Sequence, residues 1–241
     1  MSRLLTEDEA GNFKKIIDNY QPNNEVLEQF KASNFVVIAG PAGAGKDTLR
    51  NNLTQKYPEL YLPILSTTTR PPRRAEADGH DYHFCEIEEV QEGLAKREFF
   101  QVALVHGQQV SCLHINELKK LQLNQHGLSI LIPFTERELR TIKSDIKTVF
   151  LIPPSLEILK QRIQSERLLD EAEIARRLEA ALKEMKQAIE IEQYYCLITD
   201  TIAGVAQKTH QFLQSNQWIQ ADNSAARQAM KQIVLELSHA Q

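Results

Sequence analysis

The sequence predicts an α/β fold, a parallel sheet flanked by helices, on three observations. Short apolar runs rich in β-branched and aromatic residues, Phe35-Val36-Val37-Ile38-Ala39, Thr148-Val149-Phe150-Leu151-Ile152 and Cys196-Leu197-Ile198, have the composition of strands buried on both faces. Stretches with helical spacing alternate with them. The first run passes directly into the Gly-rich turn Gly40-Pro41-Ala42-Gly43-Ala44-Gly45-Lys46 and then into a helix start.

That turn predicts a phosphate cradle and hence a P-loop NTPase fold. Gly40, Gly43 and Gly45 let the backbone curl so that successive N–H groups, including those of Ala42 and Ala44, point inward. The helix that follows adds its positive end, and Lys46 supplies a mobile cation for the β- and γ-phosphates of a nucleoside triphosphate. Position 47 departs from the usual pattern: Asp47 stands where Ser or Thr gives a hydroxyl to Mg²⁺, and Thr48 follows it. A carboxylate repels phosphate unless a metal lies between them, so Asp47 and Thr48 are the candidate Mg²⁺ ligands.

Ahead of the cradle, residues 1–33 read as a helical extension. Thr6-Glu7-Asp8-Glu9 is a capped start, and Phe13, Ile16, Ile17 and Tyr20 recur at helical spacing before Gln21-Pro22-Asn23-Asn24 breaks the run. A second short helix carries Val26, Leu27 and Phe30 to the first strand. After the cradle helix, which ends near Lys56, comes a stiff basic corner: Arg70, Arg73 and Arg74 around Pro71 and Pro72, preceded by Ser66 and three threonines and followed by Asp78-Gly79-His80-Asp81-Tyr82-His83-Phe84. Guanidinium forks suit a phosphate dianion, so a second phosphorylated ligand is expected there. Residues 86–97 and 114–124 read as helices, the latter with Ile115, Leu118, Leu121 and Leu123 as core positions. Residues 205–241 form a helical extension, with Ala226, Met230, Ile233, Val234 and Leu237 on one face. Both extensions are expected to pack or to support self-association.

The bulk numbers are permissive. At 241 residues the chain can bury one large α/β domain with additions, and a net charge of −4 argues against a general nucleic-acid binder. Cys85, Cys112 and Cys196 lie far apart without C-x-x-C spacing, as free thiols in a reducing compartment would. No apolar run approaches the about 20 residues that span a bilayer. A cytoplasmic protein with no membrane or nucleic-acid partner is expected.

At this point the sequence resembles the guanylate kinases. The resemblance rests on Gly40–Lys46, Thr68-Thr69-Arg70-Pro71-Pro72-Arg73 and Asp78–Phe84 in that order and spacing, and continues through Glu98-Phe99, Val105-His106-Gly107, Phe150–Ser155 and Ile174–Leu178. It covers about residues 34–204, with an acceptor-binding segment near 66–112 and a lid near 160–177. It implies ATP-dependent phosphoryl transfer to a nucleoside monophosphate, GMP by default, with Mg²⁺. It also implies that Ser66, Arg70, Arg73 and Tyr82 bind the acceptor phosphate, that Lys46 and the cradle amides hold ATP, and that Arg177 with Arg167 closes over the transferring group. Helical spacing alone leaves Arg162, Arg167, Arg176 and Arg177 equally readable as a solvated, ion-paired face. His106 reads as structural, because a phosphate acceptor needs no base.

The departures from the family cluster at base recognition. The carboxylate that meets the guanine N1 and N2 hydrogens falls on Gln101, a second carboxylate on Thr135, the phosphate-binding tyrosine on Val110, the neighbouring hydroxyl on Cys112, and an asparagine beside adenine on Thr199. Glu98 and Glu136 remain alternative carboxylates. Three functions stay open: the nucleotide kinase, a kinase for another phosphorylated acceptor such as ribose 1,5-bisphosphate, and an inactive scaffold that binds a protein partner through the old acceptor site.

Overall fold

The computed structural model describes residues 2–73, 76–105, 107–165 and 170–239. Arg74, His106 and Arg167, singled out above, lie outside the described residues. The chain divides into two compact units, one of Met1–Phe35, Leu62–Ser129 and Leu139–Ser144, the other of Val36–Tyr61, Ile130–Glu138 and Asp145–Gln241.

The first unit opens with α1 (Glu7–Asp18) and α2 (Asn24–Ala32). The expected cap of α1 is present: Thr6 Oγ1 accepts from Glu9 N, and the Glu9 carboxylate reaches back to Thr6 N at 2.8 Å. Phe13 is buried, whereas Ile16, placed on the same stripe by its spacing, is 44% exposed. The strand β2 spans Tyr61–Pro63. A four-stranded sheet runs in the order β4-β3-β6-β5, built from β3 (Thr67–Thr68), β4 (His83–Phe84), β5 (Phe99–Val105) and β6 (Gln109–His114). Helix α4 (Ile87–Lys96) contributes Ile87, Val90 and Leu94 to an apolar cluster that also holds Leu5 and Phe13 of the N-terminal segment and Val110 and Cys112 of β6.

The helix expected over 114–124 is shorter. α5 (Ile115–Lys119) buries Ile115 and Leu118 and then stops, so Leu123 is 93% exposed rather than in the core. The reason is local: Gln122 N donates to Gln125 Oε1 and Asn124 takes a positive φ, closing a turn before β7 (His126–Ile130).

In the second unit β1 (Asn34–Ala39), β8 (Lys147–Ile152) and β9 (Tyr194–Ile198) lie side by side and parallel, with Ala39 opposite Phe150 and Phe150 opposite Cys196. The cradle helix α3 (Lys46–Lys56) packs against α9 (Ile202–Ser215). α7 (Leu156–Ser165), α8 (Glu171–Ile189) and α10 (Gln220–His239) complete the helical cover. The C-terminal extension is built into this core. Ala226, Met230, Ile233 and Leu237 are buried, Asn223 Oδ1 accepts from Cys196 N at 2.9 Å, and Arg227 donates to the carbonyls of Ile191 and Tyr194.

α6 (Pro133–Ile142) carries Glu136, one of the alternative carboxylates. It has no exposed surface, and its two oxygens accept from Thr148 Oγ1 at 2.8 Å and Tyr194 Oη at 2.6 Å. It ties α6 to β8 and β9 and is structural. A buried carboxylate that loses one such donor keeps most of its desolvation cost, so Tyr194→Phe is expected to lower the free energy of urea unfolding by about 2 kcal/mol, with unchanged far-UV circular dichroism.

Candidate active site

The cradle has the glycine conformations the sequence called for. Gly40, Gly43 and Gly45 take φ of +138°, +73° and +90°, and Gly45 caps α3 without a side chain. The Ala44 N–H, expected to face phosphate, instead donates to Pro41 O at 3.1 Å. Ala44 is buried and Ala42 half-buried. The tightest approach is at Gly40, where a Cβ would overlap the Leu151 carbonyl oxygen of β8. Lys46 Nζ donates to Gly40 O at 2.7 Å and Pro41 O at 2.9 Å, so the ammonium is held across the mouth of the loop.

Two neighbours brace this loop. Arg162 on α7 donates to Thr199 Oγ1 and Thr199 O, both at 2.8 Å, and reaches Gly43 O at 3.4 Å. Thr199 is itself buried and donates to Ile152 O. The position expected beside adenine is therefore a strut between the ends of β8 and β9, and Arg162, readable by spacing as a solvated face, is the bracing cation. Glu184 on α8 was not singled out by spacing. Burial pushes its carboxyl up to about 7, Lys46 pulls the other way, and its Oε2 is buried without a hydrogen-bond partner among the described residues.

Asp47 and Thr48 are exposed in the first turn of α3. Asp47 Oδ1 lies 3.3 Å from Nη2 of the buried Arg50, so its charge has a partner within the protein. Two hard oxygen donors beside a phosphate cradle fit Mg²⁺, which keeps most of its shell as water and phosphate oxygen. Among the described residues no group of three His, Cys, Asp or Glu side chains could hold a metal. On α8, Arg177 is largely buried and its Nε donates to Glu173 Oε1 at 3.1 Å, while the exposed Arg176 pairs with the same carboxylate.

The basic corner belongs to the other unit. Arg70 is 6% exposed, its fork bound by both oxygens of Glu76 at 2.6 and 2.8 Å and its plane over Tyr82, 4.8 Å from the ring centre. Burial acts to raise the Glu76 carboxyl, and Arg70 with the Arg73 N–H overrides it and holds it below the usual range. Glu76 was missed in the sequence, where its one signal is to be an acid inside an arginine cluster. Ser66 is buried, Arg73 exposed and Tyr82 half-buried.

Strand pairing re-sorts the base-recognition positions. Thr68 lies opposite Ser111 and Ser111 opposite Ala103, so Ser111 shares a face with Gln101, two residues before Ala103. Cys112 lies on the other face with no exposed surface, its Sγ–H directed at Thr67 O, and offers no surface to an acceptor. Ser111, and Thr68 opposite it, are hydroxyl-bearing residues on the Gln101 face. Gln101 is 7% exposed and Thr135, in the other unit, 4%. Glu98 stands 3.5 Å from His114.

A parallel sheet whose first strand feeds a glycine cradle and a lysine-led helix defines a P-loop phosphotransferase. The family description guanylate kinase matches residues 32–216. A guanylate kinase of Synechococcus sp. is 36% identical over 167 residues, covering 69% of this chain and 90% of that protein, and that of Corynebacterium glutamicum is 34% identical over 175 residues, covering 70% and 88%. The crystal structure of guanylate kinase from Anaplasma phagocytophilum aligns with a TM-score of 0.59 at 20% identity, covering 80% of this chain and 90% of that one, and shares the fold. The chain belongs to the guanylate kinase family.

Two outcomes follow from this geometry. Gly40→Ala must move β8 or distort the cradle, and it should cost about 3 kcal/mol in denaturant unfolding as well as weaken ATP binding by calorimetry. The raised folded-state value of Glu184 means that the unfolded chain releases its proton first, so stability falls as pH rises from about 4.5 to about 7. Glu184→Gln removes that loss: its melting temperature relative to wild type should climb across this window and level off above it.

Proposed function

We propose that this chain transfers the γ-phosphoryl group of ATP to GMP. The observation that carries the reading is the intact cradle, three glycines at positive φ with Lys46 across its mouth, in a member of the guanylate kinase family. A scaffold that only bound a protein partner would have no use for it.

The roles follow from charge. The cradle N–H groups and the α3 N-terminus bind the β- and γ-phosphates, and Lys46 exchanges the carbonyls of Gly40 and Pro41 for phosphate oxygen. Asp47 and Thr48 would hold the Mg²⁺ that accompanies ATP, and the ion would supply positive charge beside the phosphates. Arg70, Arg73 and Tyr82 hold the acceptor phosphate, Arg70 sharing its fork with Glu76. An acceptor oxygen bonds to the γ-phosphorus as the bond to the β–γ bridging oxygen breaks and its electron pair leaves with ADP. The acceptor dianion needs no base. Arg177, with Arg167 ten positions before it in sequence, would stabilise the transferring group.

Gln101 changes the base reading. Its amide can accept from guanine N1–H at Oε1 and donate from Nε2 to O6, but it makes no claim on the 2-amino group. Discrimination by a hydrogen-bonding site depends on leaving its own groups unpaired with the wrong ligand. GMP and IMP are therefore both expected acceptors. Coupled ADP release over GMP, IMP, AMP, CMP, UMP and ribose 1,5-bisphosphate should show turnover with the first two, reduced at least about 100-fold in Lys46→Ala. Turnover with ribose 1,5-bisphosphate alone, or none at all, would replace this reading with one of the two alternatives.

A further inference from the structure

Among the contacts of the residues ahead of the family match, which begins at residue 32, one set holds the start of β5. The β5–β6 ladder pairs Phe99 with His114 and Gln101 with Leu113, so Phe100 is an extra residue bulged into β5 immediately before Gln101. Tyr20, two residues beyond α1, takes both backbone groups of Phe99. Its Oη donates to Phe99 O at 2.8 Å and accepts from Phe99 N at 2.9 Å. Phe30 on α2 stacks on the bulged ring itself, with centroids 4.9 Å apart and 22° between planes. Asn23 adds its N–H to Arg97 O at 3.1 Å and its side-chain amide to Lys96 O at 3.3 Å.

A bulge at this point decides where Gln101 faces. Side chains alternate along a strand, so one residue more or less ahead of Gln101 turns its amide to the opposite face of the sheet. The bulge is also where a backbone leaves the ladder and needs another partner, and a phenol, donor and acceptor at once, supplies both halves. Gln101 is more than nine-tenths buried, and its Nε2 has no hydrogen-bond partner among the described residues.

We propose that Tyr20 is a positioning residue for acceptor recognition, fixing with Phe30 the Phe99–Phe100 bulge that aims the Gln101 amide, so that part of the specificity apparatus comes from outside the family domain. The proposal rests on the phosphotransferase reading above. The Tyr20 phenol, pushed up to about 12 chiefly by burial, keeps its proton and its donor role at any working pH.

The test is steady-state kinetics of the full chain with GMP and ATP varied in turn, for wild type, Tyr20→Phe and Thr6→Ala. Tyr20→Phe should raise the KM for GMP about five- to tenfold, the scale of one lost hydrogen bond, and leave the KM for ATP unchanged. It should also speed exchange of the Phe99 amide proton. Thr6→Ala loosens the cap of α1 without touching the bulge and should leave both KM values as they are. An unchanged GMP KM in active Tyr20→Phe, a parallel rise in both KM values, or an equal effect of Thr6→Ala would overturn the positioning role. Absence of turnover in the wild type would instead overturn the kinase reading, and the proposal would fall with it.

Discussion

The carbonyl oxygen of Leu151 occupies the space that any side chain at residue 40 would need, and the nucleotide-binding half of the protein is arranged around that constraint. β1 and β8 run parallel with Ala39 opposite Phe150, so the chain leaving β1 turns directly against the next residue of β8. Only a residue without Cβ can turn there at φ +138°. Once it does, the following residues curl and α3 starts after its Gly45 cap. β9, on the other side of β8, leads into Thr199, which Arg162 fastens back to the loop. The cradle is thus a consequence of three parallel strands at ordinary spacing, braced at both ends.

Charged groups of the cradle and of the basic corner already have partners within the protein. Lys46 rests on two carbonyls, Asp47 pairs with Arg50, and Arg70 is gripped by Glu76. An unpaired buried charge would cost several kcal/mol, which the fold does not supply in surplus. Ligand binding then becomes an exchange of partners. A phosphate dianion, carrying more charge than the carbonyl or carboxylate it displaces, is the kind of ligand that wins such an exchange, while a neutral one does not. The guanidinium plane of Arg70 lies over the Tyr82 ring.

The N-terminal segment is part of the acceptor unit's core. Leu5 and Phe13 share one apolar cluster with Val110 and Cys112, positions at which the family resemblance suggests polar contacts with the acceptor. Val110 is consistent with burial in this apolar cluster, which leaves a polar group there without a partner, whereas Cys112 still has Thr67 O within reach of its thiol.

The sequence by itself determined the features that depend on neighbours along the chain. The glycine spacing of the cradle, the parallel strands and the cap of α1 are local patterns, and each is found in the structure where it was read. What spacing could not decide was which groups meet across the chain. Glu76 closing on Arg70, Arg162 reaching Thr199, Glu136 sealed by Thr148 and Tyr194, and Leu123 left in solvent after a short helix all depend on approaches that no periodicity encodes. The face of Gln101, Ser111 and Cys112 is the sharpest case. An ungapped reading assigns the hydroxyl position to Cys112, but a strand has a side-chain period of two and β5 carries one extra residue, so pairing puts Ser111 beside Gln101 and turns Cys112 inward. Only the tertiary structure decides that, because a bulge is held by what packs on it from elsewhere, here Tyr20 and Phe30, and leaves no mark in the strand's own sequence.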